Sequence, residues 1–359
     1  MSRPWRRARV VLAAAKVAVV AATLAACSGG GDDQSDADGS ADPASTTVVG
    51  AAAATTAASG PPMAPLLGLE IEDPAVAQRP AMAVKVGNTD FARPQAGINQ
   101  ADVVFEEIVE AGLTRLVAVF QSTVPAQVGP IRSARLTDIS IVFPFGQPLF
   151  VSSGGNPETM GAVEQTGLTD VNEAKAPDAF IRREDREPPD DLYALGDTVY
   201  AQDTALAVAP GPLLFHRPAG VEASGGRPVQ GIEVEYGGTT VAFRWDGDGG
   251  VWRRDQNGSP HVDEEGVQAA PQNVIVQFVE YTATDQVDAN GTTVERAVLD
   301  GVGGEVWVLT DGMLIEGTWF KGNFTNPTTF TSADDQIIGL TPGRTWILLP
   351  EPGTADAID

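Results

Sequence analysis

Six ionisable side chains crowd into one apolar stretch of this sequence and are its residues best suited to chemistry: Asp102, Glu106, Glu110, Arg115, Arg132 and Arg135. A charge beside a core is costly unless it pairs or binds something, so the stretch marks a candidate site, which Arg93 opens and Arg135 closes. Asp102, Glu106 and Glu110 recur every four residues, which places them on one face of a strand or along one stripe of a helix. Ala111-Gly112, between two apolar runs, suggests a hairpin. With a two-residue loop Glu110 pairs with Leu113 and Ile108 with Arg115, and Arg115 then joins the acidic face. Downstream, GPIRSAR (129–135) precedes another apolar run. Ser133 is a good N-cap there for a helix reaching about Phe143, before Pro144. Free N–H groups at such a helix start favour an anion, and Arg132 and Arg135 could grip a phosphate or carboxylate in a bidentate fork. The competing reading is internal: Arg135 with Asp138 one turn on, and Arg132 with one of the three acids, a network that only holds the domain together.

Catalytic use of the same residues would take Glu106 or Glu110 as general acid or base, in a hydrolase or transferase acting on a wall precursor that bears phosphate or carboxylate. Ser152 or Ser153, ahead of Gly154-Gly155, would be the nucleophile. The chain has no G-x-S-x-G elbow and no lysine at S-x-x-K spacing. Its two histidines, His216 and His261, fall in a linker-like and a loop-like context, which argues against a serine-histidine relay and a histidine-ligated metal. No cofactor or metal is expected, and the reading favours a binding or accessory module over an enzyme.

These residues sit in a chain of 359 residues with a formal charge of −25, enough length for two domains plus non-globular segments. Residues 1–26 carry five basic groups and no acid; without them 18 basic residues face 48 acidic ones, a net of −30. Such a surface repels phosphate backbones, so no nucleic acid partner is expected. Arg3, Arg6, Arg7 and Arg9 followed by a short apolar run form an export signal over 1–26. Leu24-Ala25-Ala26-Cys27 is similar to a bacterial lipobox, which makes Cys27, the sole cysteine, the lipidation site and the start of the mature chain. The expected location is the extracytoplasmic face of the cell membrane, held by the N-terminal lipid, with a cell-wall component or envelope protein as possible partner. Residues 27–65 are rich in Gly, Asp, Ser, Ala, Thr and Pro and read as a disordered tether, which as a coil would reach roughly 35 Å.

The first folded domain, of α+β or α/β class, is expected over 66–210, with strands at 81–86, 102–110, 114–120 and 149–152. Asn156 with Pro157 starts a helix that ends near Gly167. The segment from Ile181 to Ala194 reads as a surface loop, and a helix over 197–208 closes the domain. A linker spans 211–226, a β-rich domain 227–350 and a disordered tail 351–359. In the β-rich domain Asp311-Gly312 is the strongest hairpin signal, and Asp246-Gly247-Asp248-Gly249 reads as another turn rather than a cation site. Trp245, Trp252, Trp307, Trp319 and Trp346 are read as core and cross-strand packing rather than a sugar platform.

RPQAGINQADVVFEEIVEAGLTRLVAVFQS, GPIRSAR and the closing PGRTWILLP together resemble the YerB-like bacterial lipoproteins, a family of unassigned function with a distinct C-terminal domain. The resemblance implies a lipid anchor, two domains and no particular reaction. By position it carries over Arg93, Asp102, Glu106, Glu110, Arg115, Arg132 and Arg135 in the first domain, and Trp319, Lys321, Gly343, Thr345 and Trp346 in the second. Where the family pattern has Pro-His-Asn before a tyrosine, this chain reads Pro189-Asp190-Asp191-Leu192-Tyr193 and lacks that imidazole. The candidate site is therefore Arg93, Asp102, Glu106, Glu110, Arg115, Arg132, Ser133 and Arg135, for an anion or a partner.

Overall fold

A computed structural model describes residues 61–202, 207–287 and 291–359. Cys27, the export signal and the tether up to residue 60 lie outside the described residues. Folded chain begins earlier than the composition suggests, because Ala64 and Leu66 are buried and Met63 bridges Glu70.

Asp73 caps a single turn, α1 (Pro74–Ala77), and β1 (Met82–Gly87) follows. β2 (Val103–Ile108) and β3 (Thr114–Phe120) form the expected hairpin, then come α2 (Leu136–Val142), β4 (Leu149–Ser152), α3 (Pro157–Thr166) and β5 (Thr169–Asn172). Asn156 caps α3 through Thr159 N, and Gly167 ends it with φ of 73°. The segment expected to be only loop contains a small hairpin, β6 (Phe180–Arg182) and β7 (Leu192–Ala194), and α4 (Gly196–Tyr200) is shorter than the predicted closing helix.

The second half supplies β8 (Arg227–Pro228), β9 (Gly231–Glu235), β10 (Thr240–Asp246), β11 (Val251–Gln256), β12 (Ser259–Pro260) and β13 (Asn273–Gln277). β14 (Tyr281–Val287) and β15 (Thr293–Ala297) make a separate ribbon. β16 (Val302–Thr310), β17 (Met313–Lys321), β18 (Thr329–Ser332), β19 (Thr345–Leu349) and β20 (Ala355–Ile358) complete the chain. Asp311 and Gly312 both have positive φ at the β16–β17 turn, as an Asp-Gly hairpin requires.

Eleven strands share one sheet in the order β18-β17-β16-β13-β19-β2-β3-β1-β4-β5, with β8 added against β17. The two expected regions, one mixed and one β-rich, therefore contribute strands to a common sheet. β19, from the C-terminal segment, lies parallel to β2, from the N-terminal segment, with Ile347 opposite Phe105. Both strands are almost wholly buried, so each requires cover on both faces and an occupied edge. A second sheet, β12-β11-β10-β9-β20, covers one face through Ile232, Val234, Phe243 and Trp252. α2 and α3 cover the other through Ile141, Val142 and Val163. The tail expected to be disordered supplies β20, which pairs with β9 and satisfies its edge. The expected linker is partly packed, with Leu214 buried and His216 bridging Leu340.

Trp245 and Trp252 stand opposite each other across β10 and β11 with ring centroids 4.8 Å apart, and Trp252, Trp319 and Trp346 are buried.

Candidate functional site

The β2–β3 ladder decides where the acids point. Glu107 stands opposite Arg115 and Glu106 opposite Leu116, one residue away from the register of a plain two-residue loop. Ala111 and Gly112 do turn the chain with positive φ, but Val109 N bonds to Leu113 O and Leu113 N to Glu110 O. Val109 and Glu110 together therefore face Leu113, a bulge that inserts one residue. A one-residue shift reverses the face of every side chain beyond it. The expected stripe of Asp102, Glu106 and Glu110 is thus broken into three separate environments.

Asp102 is a local cap. Its carboxylate accepts from Gln121 N at 2.7 Å and Ser122 N at 2.8 Å, and from the Ser122 hydroxyl. Burial raises its pKa, opposed by those hydrogen bonds.

Glu106 faces the second sheet and is fully buried. Arg254 Nη2 of β11 donates to its Oε2 at 2.9 Å, while Asn88 Nδ2 and Thr114 Oγ1 donate to Oε1 at 2.9 Å each. The Arg254 guanidinium carbon lies 4.8 Å from the Trp346 ring centroid and its Nη1 donates to Gln256 Oε1 and His261 Nδ1. Because arginine can only donate, His261 carries its proton on Nε2, which donates to Gln95 Oε1 at 2.7 Å. Burial, then the Arg254 and Arg93 charges, hold His261 well below its usual pKa and keep it neutral. Arg93 pairs with Asp90 on the rim of this network, apart from the other predicted arginines.

Glu107 faces the helices and is equally buried, in contact with Lys85 of β1, which also bonds Asp138 of α2 at 2.7 Å. One ammonium serves two carboxylates. Burial first, and Asp138 second among the charges acting against Lys85, push Glu107 up to about 7. This triad was missed in the sequence reading, although a lysine in the middle of AMAVKV should have asked for a buried acid.

The remaining predicted residues do meet. Glu110 lies between Arg135 Nη2 and Arg115 Nη2, the latter at 3.5 Å. Arg115 Nη1 donates to Ser133 O at 2.9 Å, and Ser133 Oγ lies 3.4 Å from Ser153 Oγ, just beyond the end of β4. Arg132 pairs with Asp190 at 3.1 Å, so an aspartate of the departing Pro189-Asp190-Asp191 segment serves as its counter-ion. Burial, followed by the Arg135 charge, lowers the Arg115 pKa to about 10, still charged at neutral pH.

The predicted helix cap is corrected: Arg135, not Ser133, is the N-cap of α2, and Asp138 Oδ2 accepts from the Arg135 backbone N at 2.7 Å. A short helix whose first turn already holds a carboxylate offers no anion site of its own, so any anion here is gripped by side chains. Glu106 and Glu110 both contact arginines, Ser152 Oγ accepts from Gly154 N, and Ser153 lies beside Ser133. Among the described residues no cluster of His, Cys, Asp and Glu could hold a metal ion.

Comparison with known proteins places the chain. The domain described as "Protein of unknown function (DUF3048) N-terminal domain" matches residues 66–208, and the corresponding C-terminal domain matches residues 232–347. A Bacillus subtilis protein named "Putative lipoprotein YerB" is 29% identical over 296 residues, 79% of this chain and 85% of the relative. The crystal structure of YerB protein from the same organism matches with a TM-score of 0.71 at 28% identity, over 83% of this chain and 99% of that one.

Proposed function

Given that the chain belongs to the DUF3048 family, with YerB among its relatives, we propose that it is a lipid-anchored binding or accessory module of the cell envelope whose arginine cluster takes an anionic ligand or partner group. Its place is the extracytoplasmic face of the membrane, reached through Cys27 and the tether. No helix of the described residues is long and apolar enough to cross a membrane, which is compatible with a lipid as the anchor.

The observation that carries the reading is a local excess of positive charge. Arg115, Arg132 and Arg135 bring three cations to a place where Glu110 and Asp190 supply two anions. Asp138 is already committed to Lys85 and to the start of α2. In a chain with net charge −25, one uncompensated guanidinium beside two hydroxyls is a specific invitation to a phosphate or carboxylate. Arg132 is the most accessible of the three and would make the contact, with Ser133 and Ser153 as hydroxyl donors.

Thermal unfolding of the full chain in phosphate, citrate and muropeptide fragments tests this. A ligand at a hundredfold excess over its Kd should stabilise by about 2.7 kcal/mol, and Arg132→Ala should abolish the effect while leaving the ligand-free protein folded. If no anion stabilises the wild type, or if Arg132→Ala responds as the wild type does, the cluster is an internal network and the proposal fails.

A further inference from the structure

The arginine cluster lies beyond the C-terminal end of β2. Before the N-terminal end of the same strand, three segments are tied into a frame around a second pocket. The single turn Ile98–Gln100 is joined to the segment after Asp263 by Asn99 Nδ2, which donates to Val267 O at 2.9 Å. The chain just after that turn is joined to β19 by Thr345 N, which donates to Asp102 O at 3.1 Å. Gln272 N and Asn273 N close the frame, each donating to Arg344 O at 3.1 Å. The pocket between these segments has a volume of about 190 Å³, with Asn99, Gln268 and Arg344 as its polar lining and Ile98, Pro271 and Trp346 among its apolar lining. A cavity of about 150 Å³ holds benzene, so the space here is that of a small molecule.

The two amides are oriented by their own hydrogen bonds. Asn99 Nδ2 also donates to Asp263 Oδ2 at 2.8 Å, and Gln268 Nε2 donates to Arg254 O and Asp255 Oδ1 at 2.9 Å each. An amide nitrogen has two hydrogens, so both are spent in each case and only the side-chain oxygens are left, as acceptors. The carboxylates that hold these amides make their wall electronegative. Arg244 partly offsets Asp255 from 3.7 Å, whereas Asp263 is buried and takes only N–H groups, from Asn99, Glu265 and Val267. Arg344 brings the opposite sign. Its side chain is exposed and enters no ion pair among the described residues, although acids outnumber bases 48 to 23 in the chain. Asp102 feels the Arg344 charge but spends its oxygens on Gln121 and Ser122.

We propose that this pocket binds a free α-amino acid with an aliphatic side chain. Its ammonium sits on the Asn99 and Gln268 side-chain oxygens, its carboxylate on the Arg344 guanidinium, and its side chain against Ile98, Pro271 and Trp346. An ammonium offers only donors and the two amides retain only acceptors, while a carboxylate matches the guanidinium fork. No residue of the arginine cluster takes part, so this site stands or falls independently of that one.

Calorimetric titration of the full chain with glycine, and with alanine, valine and leucine in both enantiomers, tests the assignment. Affinity should rise from glycine to leucine as more apolar surface is buried. N-acetyl-leucine lacks the ammonium and leucine amide lacks the carboxylate. Each should bind at least about tenfold more weakly than leucine, the effect of one charge-assisted hydrogen bond. Arg344→Gln breaks no ion pair, so it should melt with the wild type. It should bind leucine about tenfold more weakly yet bind leucine amide as the wild type does, a split that a purely structural role for Arg344 would not produce. The assignment is overturned if leucine amide or N-acetyl-leucine binds the wild type as tightly as leucine, or if Arg344→Gln leaves leucine affinity unchanged. Absence of binding by every amino acid of the series would overturn it too.

Discussion

Replacing Glu107 by glutamine should change how this protein responds to pH more than how it folds. Lys85, Glu107 and Asp138 are buried together with one positive and two potential negative charges, and no solvent reaches any of them. With Glu107 protonated the cluster is neutral; with Glu107 ionised it carries an uncompensated charge in the core. Its carboxyl is accordingly raised from 4.5 to about 7, chiefly by burial. The folded state thus holds a proton that the unfolded state releases between these values, so stability falls as pH rises through that window and the loss is complete above about 7. A shift of this size corresponds to about 3 kcal/mol, at 1.36 kcal/mol per unit.

Glutamine copies the shape of the protonated acid and leaves Lys85 paired one-to-one with Asp138. Urea unfolding of both proteins at steps between pH 4.5 and 7.5 would compare them directly. The difference in unfolding free energy should move by about 3 kcal/mol in favour of Glu107→Gln from the acid end to the neutral end. Asp102, whose pKa is also raised, is present in both proteins and cancels in the difference. Parallel stability curves over the whole range would refute the reasoning and place the shared proton elsewhere.

Arg254→Met should cost about 3–5 kcal/mol by leaving Glu106 buried and unpaired, and Glu106→Gln added to it should restore most of that loss; a double variant no more stable than the single one in urea would count against the pairing. Residues 66–208 expressed alone should fail to unfold cooperatively, because β2 loses β19 from its edge and Glu106 loses Arg254. Mixing in residues 211–359 should restore a single calorimetric transition, and a cooperative transition in the isolated segment would show the halves to be independent.

Much of this fold was legible residue by residue. Asn156-Pro157 announced α3 and Asp311-Gly312 the β16–β17 turn because each rests on local backbone chemistry. The site was harder, because facing depends on register, and the bulge at Val109–Glu110 leaves no mark that an Ala-Gly loop would not also leave. Arg254 could have been found: Trp252 is a natural inward residue, and period-two alternation sends Arg254 and Gln256 to the same buried face. Its partner could not, since Glu106 lies 148 residues away and the two segments meet only in the folded chain, where β19 pairs with β2. β20 was lost in a short acidic tail whose strand character comes entirely from the edge of β9.

That β2–β19 seam also bears on the proposed arginine site. The arginine cluster is built wholly within residues 66–208, from Glu110, Arg115, Arg132, Ser133, Arg135, Ser153 and Asp190. A ligand that binds only the joined arrangement adds its binding free energy to the association of the halves, whereas one held by a single half does not. An anion on the arginines would therefore leave the seam unchanged.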